Sequence, residues 1–230
     1  MADNEMEALS RAGHRKRVRG QLIRSGISTF ADYQILEYLL FYGVPRKDTK
    51  AMAYQLMGKF GSFTGVLDAN VSELMEVPGI TYNAAVLLHS LPQICARYEL
   101  KRLAGRRIYT CKQLVPFIRA LSPLDKESMT VVCLDEDSNF MCSIDATDVG
   151  KKERVLINIK DTLAGAAESG ATQVILAHNH PSGNSAPSHN DIDSTKKLTR
   201  LFMDSSVSVL DHIIVTPTGA FSIFHNKEIE

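Results

Sequence analysis

The chain predicts an α/β (α+β) protein in two parts: a small all-α region over residues 1–105, then a mixed α/β domain with one central sheet over residues 106–230. Three observations predict it. Apolar residues in the first hundred positions recur with helical spacing, and no stretch there alternates with period two for long. The second half instead alternates β-rich runs with helical stripes, the pattern of a sheet covered by helices. Charge also changes sign inside a formal net charge of zero. Residues 1–107 hold 15 Lys+Arg against 10 Asp+Glu, giving +5, and residues 108–230 hold 11 against 16, giving −5.

In chain order, Ile35, Leu36, Leu39 and Leu40 form a helical stripe inside ADYQILEYLLFYG, which Gly43 and Pro45 stop. Further stripes follow in TKAMAYQLMGKFG and TYNAAVLLHSLPQICARYEL, punctuated by Gly61, Gly65, Pro78 and Gly79. The basic connection LKRLAGRRIYTCK carries Gly105 and precedes the change of pattern. MTVVCLDEDSNFMCSI reads as a hairpin around an Asp/Ser/Asn turn. KKERVLINIKDTLAGAAESG reads as one helix with Val155, Ile159 and Leu163 at spacing four, closed by Gly170. TQVILA is a short apolar run suited to a strand buried on both faces. Residues 190–203 are helical, and LDHIIVTP and AFSIFH read as closing strands.

Composition excludes some classes of function. No run of about 18 apolar residues is present, so no membrane span is expected. The start, MADNEMEALSRAGHRKR, is polar and then basic, without the apolar core of a secretory signal. Cys95, Cys111, Cys133 and Cys142 show no CxxC pairing, and a reduced, cytoplasmic chain is the simplest reading. A Cys133–Cys142 bridge across the hairpin is the minority alternative. Residues 11–24 contain Arg11, Arg15, Lys16, Arg17, Arg19 and Arg24 and no acid. Such a block meets phosphates, or else serves as a solvated helix face or a docking surface for the acidic half.

The chemistry concentrates after TQVILA. His178 and His180 close that strand, and residues i and i+2 of a strand project to one face. PSGNSAPS then turns the chain, and Asp191 follows in the first turn of the next helix, from which its carboxylate can swing back. Two imidazoles and a carboxylate suit one zinc ion per chain, with a fourth position left for water. Against this, two strand-end histidines alone can simply face solvent. Ser188 and Asp191 also fit an ordinary S-x-x-D capping box, a role compatible with ligation because a cap fixes where Asp191 points.

His178-x-His180, seven residues, Ser188, two residues and Asp191 resemble the JAMM (MPN+) metalloprotease motif H-x-H-x7-S-x2-D with every position filled. The longer stretch AHNHPSGNSAPSHNDIDSTKKL, with LDHIIV after it, is more similar still to the RadC family. GHRKRVR, LLFYGVPRKDTK and VPGI extend the likeness over nearly the whole chain. The resemblance implies a JAMM-like domain with a central mixed sheet flanked by helices, and zinc at the strand end. It implies that an upstream Glu takes the proton of the metal's water, with Glu127 in DKESMTVVCLD in that place and Glu153 and Glu168 as fallbacks. It assigns Ser188 to the developing oxyanion.

Asp211 and His212 in LDHIIV resemble a RadC-type pair, open to a role behind a metal ligand or to a buried structural hydrogen bond. His14, His89, His189 and His225 are read as surface or core residues. Leu74–Ile80 resembles a helix-hairpin-helix turn whose following helix begins near Asn83. Such turns meet a phosphate through the amides of a G-x-G, and Thr81 stands here where the second glycine commonly falls. Two functions are therefore expected in competition. One is a RadC-type zinc-dependent metallohydrolase acting on a protein or peptide. The other is a DNA repair or recombination factor that binds DNA through the basic segment, its zinc domain a nuclease or structural.

Overall fold

A computed structural model of the chain describes residues 2–45, 47–122, 126–148 and 156–229; the side chains of residues 2–12, 148, 156 and 157 are outside the description. The chain divides into two compact units, Met1–Ile94 and Cys95–Glu230.

The first unit is helical: α1 (Ala2–Ser25), α2 (Asp32–Gly43), α3 (Thr49–Phe60), α4 (Phe63–Asp68), α5 (Val71–Met75) and the start of α6 (Tyr82–Arg102). Its core joins Leu36 and Leu40 of α2 to Ala53 and Leu56 of α3, with Leu74, Ala84 and Leu88. Gly43, the last residue of α2, has no room for a side chain: a Cβ there would lie 2.6 Å from Ala84 Cα. Arg15 reaches from α1 to the end of α2, donating to the carbonyls of Val44 (2.8 Å) and Lys47 (3.0 Å). Thr81 caps α6: its hydroxyl accepts the Ala84 N–H at 3.1 Å and donates to Gly43 O at 2.7 Å. His14 pairs with buried Glu37 at 2.8 Å, and His89 Nδ1 lies 3.0 Å from Ala69 O.

In the second unit the basic connection packs onto the sheet, since Gly105 N–H donates to Phe140 O and Phe140 N–H to Arg106 O, both at 2.8 Å. Then come α7 (Val115–Leu121), β1 (Met129–Leu134), β2 (Phe140–Asp145), β3 (Thr147–Asp148), β4 (Leu156–Ile157), α8 (Ile159–Ser169), β5 (Gln173–Asn179), α9 (His189–Asp204), β6 (Ser208–Val215), β7 (Ala220–Ser222) and β8 (Lys227–Glu228). The central sheet runs β2-β1-β5-β6-β7-β8. Its β5–β6 pair is parallel and its other pairs antiparallel, a mixed sheet. α9 is the crossover that joins the two parallel strands.

The sheet is covered on both sides, which is why residues 174–177 are apolar throughout. Val132, Leu134, Ile175, Ala177, Ile213 and Val215 pack against Leu114, Val115 and Ile118 around α7. Val131, Cys133, Val174 and Leu176 face the other way, onto Ala166 of α8 and Leu198 and Phe202 of α9. The hairpin forms as expected, with Cys133 directly opposite Cys142. Both thiols are free, and burial first, then the neighbouring Cys142, pushes Cys133 up to about 12.

One element differs from expectation. The helix expected over residues 151–170 begins only at Ile159, and Leu156–Ile157 pair instead with Thr147–Asp148. Asn158 sets the start, since its side chain accepts the Asp161 N–H at 3.2 Å and so satisfies one of the first turn's orphan donors. Gly170, at φ 74°, closes the helix as expected. Val155 and Glu153 lie outside the described residues. No described helix is long and apolar enough to cross a membrane.

Candidate metal centre

β5 lies inside the sheet between β1 and β6, and its C-terminal end carries the chemistry. His178, paired opposite Met129 of β1, and His180, just past the strand, lie on the α9 side of the sheet. Both are buried, at 4% and 8% exposure. The loop 181–188 returns the chain, and Ser188 caps α9 so that Asp191, at the third helical position, faces the strand end.

His178, His180 and Asp191 form a group able to hold a metal ion, with donor atoms all within 4.8 Å of one another. His178 Nε2 is 3.4 Å from Asp191 Oδ1, and His180 Nε2 is 3.5 Å from Asp191 Oδ2. Ligands about 2.1 Å from a tetrahedral ion stand about 3.4 Å apart, so both separations fit one cation. The two Nε2 atoms are closer, at 2.9 Å. His180 Nδ1 lies 2.7 Å from the Asn184 carbonyl, which can only accept, so Nδ1 carries a proton and Nε2 turns toward the cluster. Two imidazole nitrogens and a carboxylate brought this close together suit a positive charge held between them. The donor set therefore fits a divalent cation.

Burial opposes ionisation of Asp191, but the neighbouring His178 and the hydrogen bonds from Ser188 outweigh it and hold its carboxyl well below the usual carboxylate range. A carboxylate that stays charged is what a ligand must be. Behind the ligands, His212 Nε2 lies 2.8 Å from His178 Nδ1, and His212 Nδ1 lies 2.6 Å from Thr195 Oγ1. His212 is wholly buried, and burial, then the neighbouring His178, pushes it down to about 3, so it is neutral.

The remaining expected residues separate. Ser188 is exposed at the mouth of the cluster, where its Oγ accepts the Asp191 N–H at 3.2 Å. Glu127 is exposed two positions before β1. Asn179 N–H donates to Ser128 O, so the β1–β5 register, continued, sets Glu127 opposite His180. Glu168 is exposed on α8, away from the end of β5.

Asp211 and His212 part company, as neighbours on a strand must. His212 takes the metal side. Asp211 takes the α7 side, where it accepts from Ser222 Oγ at 2.7 Å and lies 3.6 Å from Cys111 Sγ. Thr195 escaped the sequence reading altogether. Its signal was helical spacing, four positions after Asp191 and on the same face.

Comparison with known proteins matches the same region. Residues 108–229 match the family model described as the RadC-like JAB domain. A UPF0758 protein of Fusobacterium nucleatum subsp. nucleatum is 33% identical over 218 residues, covering 91% of this chain and 94% of that protein. With a mixed sheet, flanking helices and a strand-end His-His-Asp cluster in place, the chain belongs to the RadC family.

Proposed function

We propose that the protein is a zinc-dependent metallohydrolase with peptidase or isopeptidase-like chemistry. The observation that carries this reading is the convergence of His178, His180 and Asp191 at the end of β5. Two imidazoles and one carboxylate are the donor set of catalytic zinc sites. When bound there, zinc polarises a carbonyl and lowers the pKa of a coordinated water to about 7.

The chain's own residues supply the rest. Glu127, across the register from His180, accepts the proton of the attacking water and returns it to the leaving amine. Ser188 receives the Asp191 N–H through Oγ and keeps its own O–H proton to donate to the developing oxyanion. His178 and His180 are buried, which strengthens their interaction with a cation held between them. Four free thiols fit a cytoplasmic setting.

The test is turnover of unstructured peptides and of isopeptide-linked lysine by the zinc-loaded chain beside Glu127→Gln. Cleavage by the wild type that the variant loses while keeping its metal supports the assignment. Cleavage of DNA alone would move the chemistry to phosphodiesters.

A second reading, association with DNA, rests on α1. Lys16, Arg17, Arg19 and Arg24 are exposed along it, whereas Arg15 is occupied at the end of α2; the Arg11 side chain is outside the description. The hairpin adds little to this reading, because Thr81 is committed to capping α6.

A further inference from the structure

Resting on the reading of His178, His180 and Asp191 as metal ligands, we infer that Thr195 and His212 form a positioning relay that dictates which nitrogen of His178 faces the metal.

The relay starts from a group that cannot donate. Thr195 Oγ1 lies 2.5 Å from the carbonyl oxygen of Asp191, one turn earlier in α9. Two oxygens approach that closely only with a proton between them, and the carbonyl has none, so Thr195 donates. Its hydroxyl then has only lone pairs to offer His212 Nδ1 at 2.6 Å. His212 Nδ1 must carry the hydrogen. His212 is wholly buried, which disfavours a second proton on its ring, so its Nε2 is bare and accepts from His178 Nδ1 at 2.8 Å. With its proton drawn to Nδ1, His178 turns its Nε2 lone pair toward the space it shares with Asp191 Oδ1 and His180 Nε2, where the cation would be held.

The relay closes on the residue where it begins. The backbone of Asp191 fixes the tautomer of His178, and the carboxylate of Asp191 shares the cation with it. One turn of α9 thus aims both ligands, and a shift of that helix would disturb both together. A backside partner of a ligating histidine is usually a carboxylate, a carbonyl or water. Here it is a neutral imidazole, which enforces the lone pair without adding negative charge to a cluster that already holds Asp191. The nearby carboxylate, Asp211, is turned away and accepts the backbone N–H of His212 instead, at 2.7 Å. A threonine bonded back to the carbonyl four residues earlier is common in helices; what distinguishes Thr195 is the buried imidazole on its other side.

Two readouts on the full-length chain test this. Long-range ¹H–¹⁵N spectra of the zinc-loaded protein should show His212 protonated at Nδ1 and bare at Nε2. Zinc affinity, measured by competition with a chromophoric chelator, should fall about 10- to 100-fold for Thr195→Val and stay close to wild type for Thr195→Ser. Thermal melts of the metal-free variants show whether each is folded. A folded Thr195→Val chain that binds zinc as tightly as wild type overturns the relay, as does a His212 protonated at Nε2. Equal losses in the Ser and Val variants would likewise overturn it, because the hydroxyl would then not be the agent. A wild type that takes up no zinc overturns the metal-centre reading itself, and the relay's role with it.

Discussion

Ser188 and Asp191 hold each other twice: the Ser188 N–H donates to Asp191 Oδ2 at 2.7 Å, and the Asp191 N–H donates to Ser188 Oγ at 3.2 Å. The same Oδ2 faces His180 Nε2, so helix cap and metal ligand are one arrangement. The expected capping box and the expected ligand do not compete for Asp191, because the cap holds the carboxylate where the imidazoles meet.

This double role separates stability from chemistry at position 188. Ser188→Ala should cost about 1 kcal/mol through the lost cap, whereas Ser188→Gly should cost only about a few tenths, since glycine is tolerated at that position. Both remove the oxyanion donor, so both should lower turnover about 100- to 1000-fold. Chemical denaturation beside peptide turnover checks the split. A Gly variant with full activity would reduce Ser188 to a cap.

Glu127→Gln should keep zinc and lose hydrolysis, because the amide preserves shape while removing the group that accepts the water's proton. Metal content and turnover are measured on the same preparation. Loss of metal would make Glu127 a ligand, and full turnover would make it a bystander.

The neutral, buried His212 makes the metal-free fold sensitive to acid. Burial pushes its pKa from 6.5 down to about 3 in the folded chain, so between those values the unfolded chain binds the extra proton. Its contribution to stability is fully present above about pH 6.5 and is lost as pH falls toward 3. Denaturant midpoints at pH 7 and pH 5 should therefore fall more for wild type than for His212→Gln. Equal falls would contradict the assignment.

The thiols should react in order of exposure. Burial, with Asp211 beside it, pushes Cys111 up to about 12, and burial does the same for Cys133. Iodoacetamide at pH 8 should modify exposed Cys95 first and leave Cys111 and Cys133 until the chain unfolds. Peptide mapping reads the order directly.

If Lys16, Arg17, Arg19 and Arg24 all meet phosphates, DNA affinity should fall with salt at a log–log slope near about −3.6, each contact releasing about 0.9 counterion. Their joint replacement by Gln should flatten the slope and leave zinc content unchanged. Arg15 stays in place in this test, because it caps α2. Salt-independent binding would return α1 to the role of solvated surface.

Much of the fold was legible where burial writes a period into the chain. Leu36 and Leu40 carry a helical stripe, Cys133 and Cys142 flank a hairpin turn, and residues 174–177 are apolar because both faces of β5 are covered. The start of α8 was not legible. Val155, Ile159 and Leu163 keep helical spacing across a boundary that Asn158 imposes by a local hydrogen bond. At the site, HxH and Asp191 announce themselves through spacing along one strand and one helix turn. His212 and Thr195 do not, because their meeting depends on how β6 and α9 lie against β5, a relation no local spacing encodes. Arg15 shows the converse: a basic block on paper loses one member to the end of α2.

Zinc content of the full-length chain, purified without chelators, beside a His178→Ala, His180→Ala double variant tests the central claim most directly. The account predicts about one zinc per wild-type chain and none in the variant, with Asp191→Ala binding more weakly than wild type. A wild type free of transition metal, or a double variant that holds zinc as the wild type does, would contradict it.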